Sequence, residues 1–329
     1  MKVEIIHDGS VINEDVDITA SEVYLRSKST ISYGWFVSDD FILPFVVDKR
    51  FIFKRLIITH ETILKKGRTY SQCKEIDFLN SVCHESKRLN IHLIYQPYTN
   101  VVFQVYPKDS IFCHFGSYIV NLEMPEDKLL ANLHVKHRNV IKKAIKDGVQ
   151  ILEGKSQKDV CYSLIKQTMQ RQGMSFIKYE QFQQEYVLLG NNITYYVAYY
   201  NGIPQGGAVI VFKEGFSAYY MHGGSITKPY TGSLNYMHWQ IMLDMKKIGV
   251  RNYDFVGARI NPQEGSKLES IQRFKSRFGT VLKSGFLWKY PTNPWMYKMY
   301  YFVAKLYYKY MSEEYSGDII DDENARNSE

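Results

Sequence analysis

Most of the short motifs that name an enzyme class are missing from this chain. Cysteine is scarce, with only Cys73, Cys83, Cys113 and Cys161 in 329 residues and no C-x-x-C pair among them. The first ten residues, MKVEIIHDGS, hold no apolar signal core. Together these features lead us to expect a reduced, cytoplasmic protein. No run approaches the roughly 18 to 20 apolar residues of a membrane-spanning helix, so any membrane contact is expected to be peripheral. G-x-x-x-x-G-K-[ST], G-x-S-x-G and H-E-x-x-H are all absent, and the [RQ]-x-x-G-x-[GA] loop that cradles the pyrophosphate of acetyl-CoA has no good match. His134 and His137 stand three apart, but nothing nearby supplies a third ligand, so no metal is expected.

Aromatic residues are abundant instead, with 27 tyrosines and 18 phenylalanines. Such surface suits a deep groove, although tyrosine also fills strands. The length favours two domains, since one core seldom grows beyond about 250 residues. The net charge of +7 conceals an asymmetry: residues 316–329 carry five acids against Arg326 alone, a net of −4 that leaves +11 on the body. A basic body favours polyanionic partners such as tRNA, nucleotide-sugar pyrophosphates or an anionic membrane surface. The polar acidic tail reads as disordered.

Alternating apolar residues predict strands at 35–37, 41–47 and 51–59, with turns at 38–40 and 48–50. Helical spacing predicts a helix over 75–88, followed by strands at 91–95, 101–106 and 111–121. A long helix is expected from Met124-Pro125 to Gly148, bridging two domains. A second cycle follows: strand 149–152, helices 158–172 and 179–189, strands 194–200, 206–212 and 217–222, helix 235–248, strand 253–256, helix 270–278 and strand 281–289. Gly206-Gly207 inside a strand reads as a bulge.

Three segments carry chemistry. KHRNVIKKAIKDG (136–148) places five cations in three helical turns. From charge alone it is a solvated face, but at a domain junction it could meet phosphate, with Arg138 the best single donor because guanidinium binds phosphate bidentately. YDFVGA (253–258) is an apolar strand running into a glycine. FKSRFG (274–279) is an aromatic and basic turn of helix closed by another glycine; Phe274 and Phe278 fit a core, which leaves Lys275 without a packing role. His222-Gly223-Gly224-Ser225 ends a strand, where the glycines permit either a ligand cradle or an ordinary loop.

In this order and separation, the three segments resemble the Fem family of peptidoglycan bridge-forming aminoacyltransferases and the related Fem-like acyltransferases. Lys136 to Ala144 reproduces the family pattern basic-x-Arg-x-x-Ile-basic-basic-Ala, and Phe274-Lys275 matches its Phe-Lys pair. The resemblance implies an α+β fold of two tandem GNAT-like (N-acyltransferase) domains, with mixed, mainly antiparallel sheets flanked by helices. The domains would be 1–148, joined by a returning strand and helix at 285–312, and 149–284, with 316–329 as the tail.

The implied activity moves an aminoacyl or acyl group onto an amine of a cell-envelope precursor, either a peptidoglycan peptide or a sugar of a surface polysaccharide. Charged tRNA or acyl-CoA would serve as co-substrate with no bound cofactor, and the acceptor would be a nucleotide- or lipid-linked glycan precursor. Lys275 is the electrostatic catalyst implied by the match, Lys136 and Arg138 would bind phosphate, and Phe274 and Tyr220 would line the groove beside Gly223 and Gly224. A non-catalytic tRNA- or glycan-binding protein is the competing reading. Two family features are absent, the coiled-coil arm of some members and the N-terminal Q-S-x-x-W helix, whose place is taken by 21–32. WMYKMYYFVAKLYYKYM (295–311) is expected to pack on the first domain or to touch the inner face of a membrane.

Overall fold

A computed structural model describes residues 1–12, 14–310 and 317–327. The chain divides into two compact units, one formed by 1–116, 257–261 and 283–329, the other by 117–256 and 262–282. Unit one opens with β1 (Glu4–Ile6), α1 (Glu22–Lys28), β2 (Ser32–Val37), β3 (Phe41–Arg50), β4 (Phe53–Ile58) and β5 (Ile63–Leu64). It continues through α2 (Gln72–Arg88), β6 (Leu93–Tyr95) and the first half of β7 (Ile111–Asn121). Strand β3 runs through the expected turn at 48–50, because Asp48 is held opposite Arg55 by an ion pair, and the chain reverses at Phe51, whose φ is 56°. The strand expected at 101–106 is reduced to one bridge, Phe103 to Phe286.

The second half of β7 enters unit two, which adds α3 (Glu126–Asn132), α4 (Val135–Lys146), β8 (Gln150–Glu153), α5 (Lys158–Gln170) and α6 (Tyr179–Leu189). Next come β9 (Ile193–Tyr200), β10 (Ile203–Phe212), β11 (Ser217–Ser225), α7 (Ser233–Lys247) and β12 (Asn252–Asp254). Strand β13 (Ala258–Arg259) belongs to unit one, α8 (Lys267–Ser276) to unit two, and β14 (Val281–Pro291) leads back to unit one with α9 (Pro294–Tyr310) and α10 (Ile319–Arg326).

Unit one orders its sheet β1-β2-β3-β4-β6-β14. Phe36, Phe45, Leu56 and Ile94 pack there against Phe78, Leu79 and Val82 of α2, with Trp288 of β14 fully enclosed. Unit two orders its sheet β7-β12-β11-β10-β9-β8. One face carries Tyr196, Ala208, Ile210 and Tyr253 against Ile141 of α4 and Ile241, Met242 and Met245 of α7. α5 lies on the strands as well, its Cys161 thiol donating to the Tyr196 carbonyl at 3.2 Å.

Three expectations change. The single helix from 125 to 148 is two helices, broken at Leu133-His134, where both residues are extended. The break is chemically satisfied: His134 Nδ1 accepts from the Lys136 amide at 3.2 Å, and the Arg138 guanidinium donates to the Ala131 and Leu133 carbonyls. The unit boundary falls at 116/117, so α4 is core to unit two through Ile141 and Ala144 and is not a bridge. The tail is not disordered where described. Residues 318–326 form a helix with a capping box at Asp318 and a buried Ile320, while 316, 328 and 329 lie outside the described residues.

Gly206-Gly207 also serves a different purpose from the one expected. The register shifts fall between Pro204 and Gly206 and between Val209 and Ile210, and Gly207 pairs across the ladder with Gly224. Both glycines face α5: a Cβ on Gly207 would lie 2.9 Å from the Cys161 sulfur, and one on Gly224 would lie 2.5 Å from the Ile165 Cα. Their lack of side chains seats the helix on the strands.

Candidate active site

Two parallel strands part in unit two, and the site lies where they separate. β11 and β12 pair for three residues only, Ser217 to Tyr219 against Asn252 to Asp254. β12 then ends, while β11 runs on to Ser225 along β10. A cavity of about 150 Å³ lies alongside, walled by Tyr220, Gly223, Gly224, His238 and Phe274, with Thr168 of α5 at its rim. Such a volume accommodates a group about the size of benzene, which suits a small acyl or aminoacyl moiety.

Four residues expected from sequence thus meet in one place. Tyr220 and Phe274 come from β11 and α8, and the two glycines let the strand end approach closely. Gly223 has no room for a side chain, because a Cβ there would collide with the Tyr220 hydroxyl. Thr168 Oγ1 fixes the strand end by accepting from the Ser225 amide at 2.9 Å and donating to its carbonyl at 3.1 Å.

Lys275 follows Phe274 on α8, half-buried, and its ammonium donates to the Val256 carbonyl at 2.6 Å. Val256 has φ 51°, a strained setting for a β-branched residue, and its amide donates to Asp254 Oδ1 at 2.7 Å. Asp254 also accepts from the Ser117 hydroxyl. Burial pushes the Lys275 pKa down to about 8, with Asp254 opposing the shift. At neutral pH the side chain is therefore mainly a cation in a poorly hydrated place, suited to stabilising negative charge and poorly suited to taking a proton.

His238 was not foreseen. It is buried on α7, and its Nδ1 lies 2.9 Å from the Tyr253 hydroxyl. Its ring meets Tyr220 edge-on at 4.7 Å and Phe274 at 5.7 Å. Burial, with smaller contributions from Lys275 and His137, pushes its pKa down to about 3. A base that weak does not deprotonate an amine at neutral pH, and the ring packs between the cavity aromatics Tyr220 and Phe274. His137 is buried too, its Nε2 3.1 Å from the Phe274 carbonyl. Among the described residues no cluster could hold a metal ion.

Lys136, Arg138 and Lys275 do not line the cavity. Lys136 is exposed, and Arg138 turns back onto the carbonyls that end α3. Arg138→Gln is therefore expected to lower stability by about 1 kcal/mol, read by urea unfolding, because the exposed Ala131 carbonyl and the part-buried Leu133 carbonyl lose a charged donor.

No protein-family model and no curated protein matches this chain. Among solved structures, FemX superposes with a TM-score of 0.66, covering 91% of this chain and 99% of its own at 15% identity. The chain has the Fem-type fold of tandem GNAT-like domains. A C-terminal domain assigned to a lysylphosphatidylglycerol synthetase of Agrobacterium fabrum gives 0.52, over 90% of this chain and 94% of its own at 13% identity. A tandem GNAT protein of the clavulanic acid biosynthesis pathway gives 0.50, over 89% and 99% at 9% identity. At these identities the likeness establishes the Fem-type architecture alone.

Proposed function

We propose that this protein is an N-acyltransferase acting on a cell-envelope component, and that the group transferred occupies the cavity between Tyr220, Gly223 and Phe274. The observation that carries this reading is the cavity beside the parting of β11 and β12, with Phe274 in its wall and the half-buried cation Lys275, itself outside the lining, next to Phe274 on α8. The names of the Fem-type neighbours support it, since a lysylphosphatidylglycerol synthetase is named for joining an amino acid to a lipid.

In the proposed reaction the lone pair of a neutral acceptor amine attacks the carbonyl carbon of an ester or thioester. A C–N bond forms, the C–O or C–S bond breaks, and the departing hydroxyl or thiol leaves with the proton that the amine gives up. Positioning of the donor and stabilisation of the oxyanion carry the rate. Aminoacyl-tRNA is the donor favoured by the resemblance at 274–279, with acyl-CoA the second choice; the acceptor is a peptidoglycan peptide or a sugar amine of a surface polysaccharide. The protein acts in the cytoplasm on a nucleotide- or lipid-linked precursor.

The cavity assignment is tested by donor binding. Acetyl-CoA and a non-hydrolysable aminoacyl-adenosine analogue are titrated against wild type and Phe274→Ala. The donor that binds is expected to lose about tenfold or more in affinity on removal of the ring that walls the cavity. Equal affinity for both proteins would move the acyl group elsewhere.

A further inference from the structure

We infer that α9 in unit one docks on an anionic lipid bilayer surface. The helix is apolar on two sides. Tyr300 and Ala304 are buried, and Met296, Tyr297 and Val303 pack partly against Phe53, Leu93 and Tyr95, which anchors one side to the unit's core. The opposite side is also apolar but faces solvent: Trp295 is 82% exposed, Phe302 62%, Leu306 51% and Tyr310 86%, with Met299 between them. Their spacing of three or four residues places them in one stripe along the helix. The reversal between β3 and β4 lies beside the same helix, since the Phe51 ring meets Tyr307 at 5.4 Å, and Ile52 there is 63% exposed.

Charge decides what would cover this stripe. α9 contains no acidic residue. Lys298, Lys305 and Lys309 are exposed and line one flank of the stripe, on stems long enough to reach a phosphate layer while the apolar residues enter the acyl boundary. Tryptophan and tyrosine with lysine, on a helix anchored by its other face, have the chemistry of an interfacial segment. Among the described residues of the acidic C-terminus, Asp318 and Asp321 are paired with Lys289, and Asp322 and Glu323 with Arg259. Among the described residues no helix is long and apolar enough to cross a membrane, so the contact is along the surface.

The test uses the intrinsic fluorescence of the full chain. Trp35, Trp239 and Trp288 are buried and Trp295 is the exposed tryptophan, so a change on adding vesicles reports α9. Vesicles of phosphatidylcholine alone are compared with vesicles containing phosphatidylglycerol. With phosphatidylglycerol we expect a blue shift and co-sedimentation, and with phosphatidylcholine alone neither. The triple change Lys298→Gln, Lys305→Gln, Lys309→Gln and the double change Phe302→Ser, Leu306→Ser should each weaken binding by about a hundredfold with circular dichroism and melting unchanged. Absence of binding to anionic vesicles, or equal binding to both kinds, would overturn the inference. So would a dimer, seen by light scattering without lipid and dissolved by Phe302→Ser with Leu306→Ser, which would assign the stripe to a second copy.

Discussion

Lys275→Met is expected to lower kcat by about two to three powers of ten, the usual loss when a preorganised donor to a developing oxyanion is removed. Met retains the apolar stem, so the change removes charge without opening a cavity. The Val256 carbonyl loses its 2.6 Å donor, and stability should fall by only about 1 kcal/mol. The pH profile separates a catalytic from a structural role. With the Lys275 pKa pushed down to about 8 by burial, wild-type activity should decline as pH rises through that value, and the Met variant should not show the decline. The linkage has a definite sign. Between about 8 and the ordinary 10.5 of a free lysine, the unfolded chain binds the proton that the folded chain has released, so stability rises with pH in that window and the Met variant loses the rise. Normal kcat with reduced stability would make Lys275 only a brace for the strained turn at Val256.

Much of this site was legible because its parts lie in short, unusual segments. FKSRFG drew attention to Phe274 and Lys275, and a strand ending in two glycines drew it to Tyr220, Gly223 and Gly224. His238 lay hidden on α7 among Met237, Trp239, Ile241 and Met242, where a histidine reads as core until its neighbours are known. Asp254 stood inside YDFVGA, and a carboxylate in an apolar strand is the signal that could have drawn attention to it. Arg138 misled because composition reports its charge but not its direction, and its guanidinium turns back onto the end of α3.

The largest effect on stability is expected at the C-terminus. Lys289 has no exposed side-chain surface, and its ammonium lies 2.8 Å from Asp318 and 2.5 Å from Asp321. Burial alone would lower its pKa, but the two carboxylates hold it well above the ordinary value. Asp318→Asn with Asp321→Asn should cost about 3 to 5 kcal/mol by urea unfolding, because the ammonium stays buried without its counter-charges. Lys289→Met in the wild-type background should cost clearly less, since no charge is then left in the core. Removing the chain from Gly317 onward should cost more than the double change, because Ile320 also leaves its place among Val102, Cys113 and Leu287. A truncated protein as stable as the full chain would return the tail to the disordered state its composition implied.

That tail shows why part of the fold was hidden. Five acids in a short polar stretch satisfy the compositional rules for disorder, but the partners of four of them, Arg259 and Lys289, lie earlier in the sequence. The helix at 319–326, with its cap Asp318, carries the acids that pair with the buried Lys289 and the part-buried Arg259. The break at Leu133-His134 has the same character, since the 3.6-residue spacing continues across it while the Arg138 and His134 side chains and a bond from the His134 amide to the Arg277 carbonyl satisfy it. Strand pairing in unit two has local signals, since the turns Asn201-Gly202 and Glu214-Gly215 lie between β9, β10 and β11, which pair antiparallel.

The central claim is tested most directly by the mass of an acceptor amine after incubation with wild-type protein, charged tRNA and acetyl-CoA offered in parallel. The account predicts a product heavier by one aminoacyl or acyl group, formed with wild type and strongly reduced with Lys275→Met. An acceptor unchanged in mass with every donor, while the protein still binds tRNA or glycan, would contradict it and leave a binding protein with an acyltransferase fold.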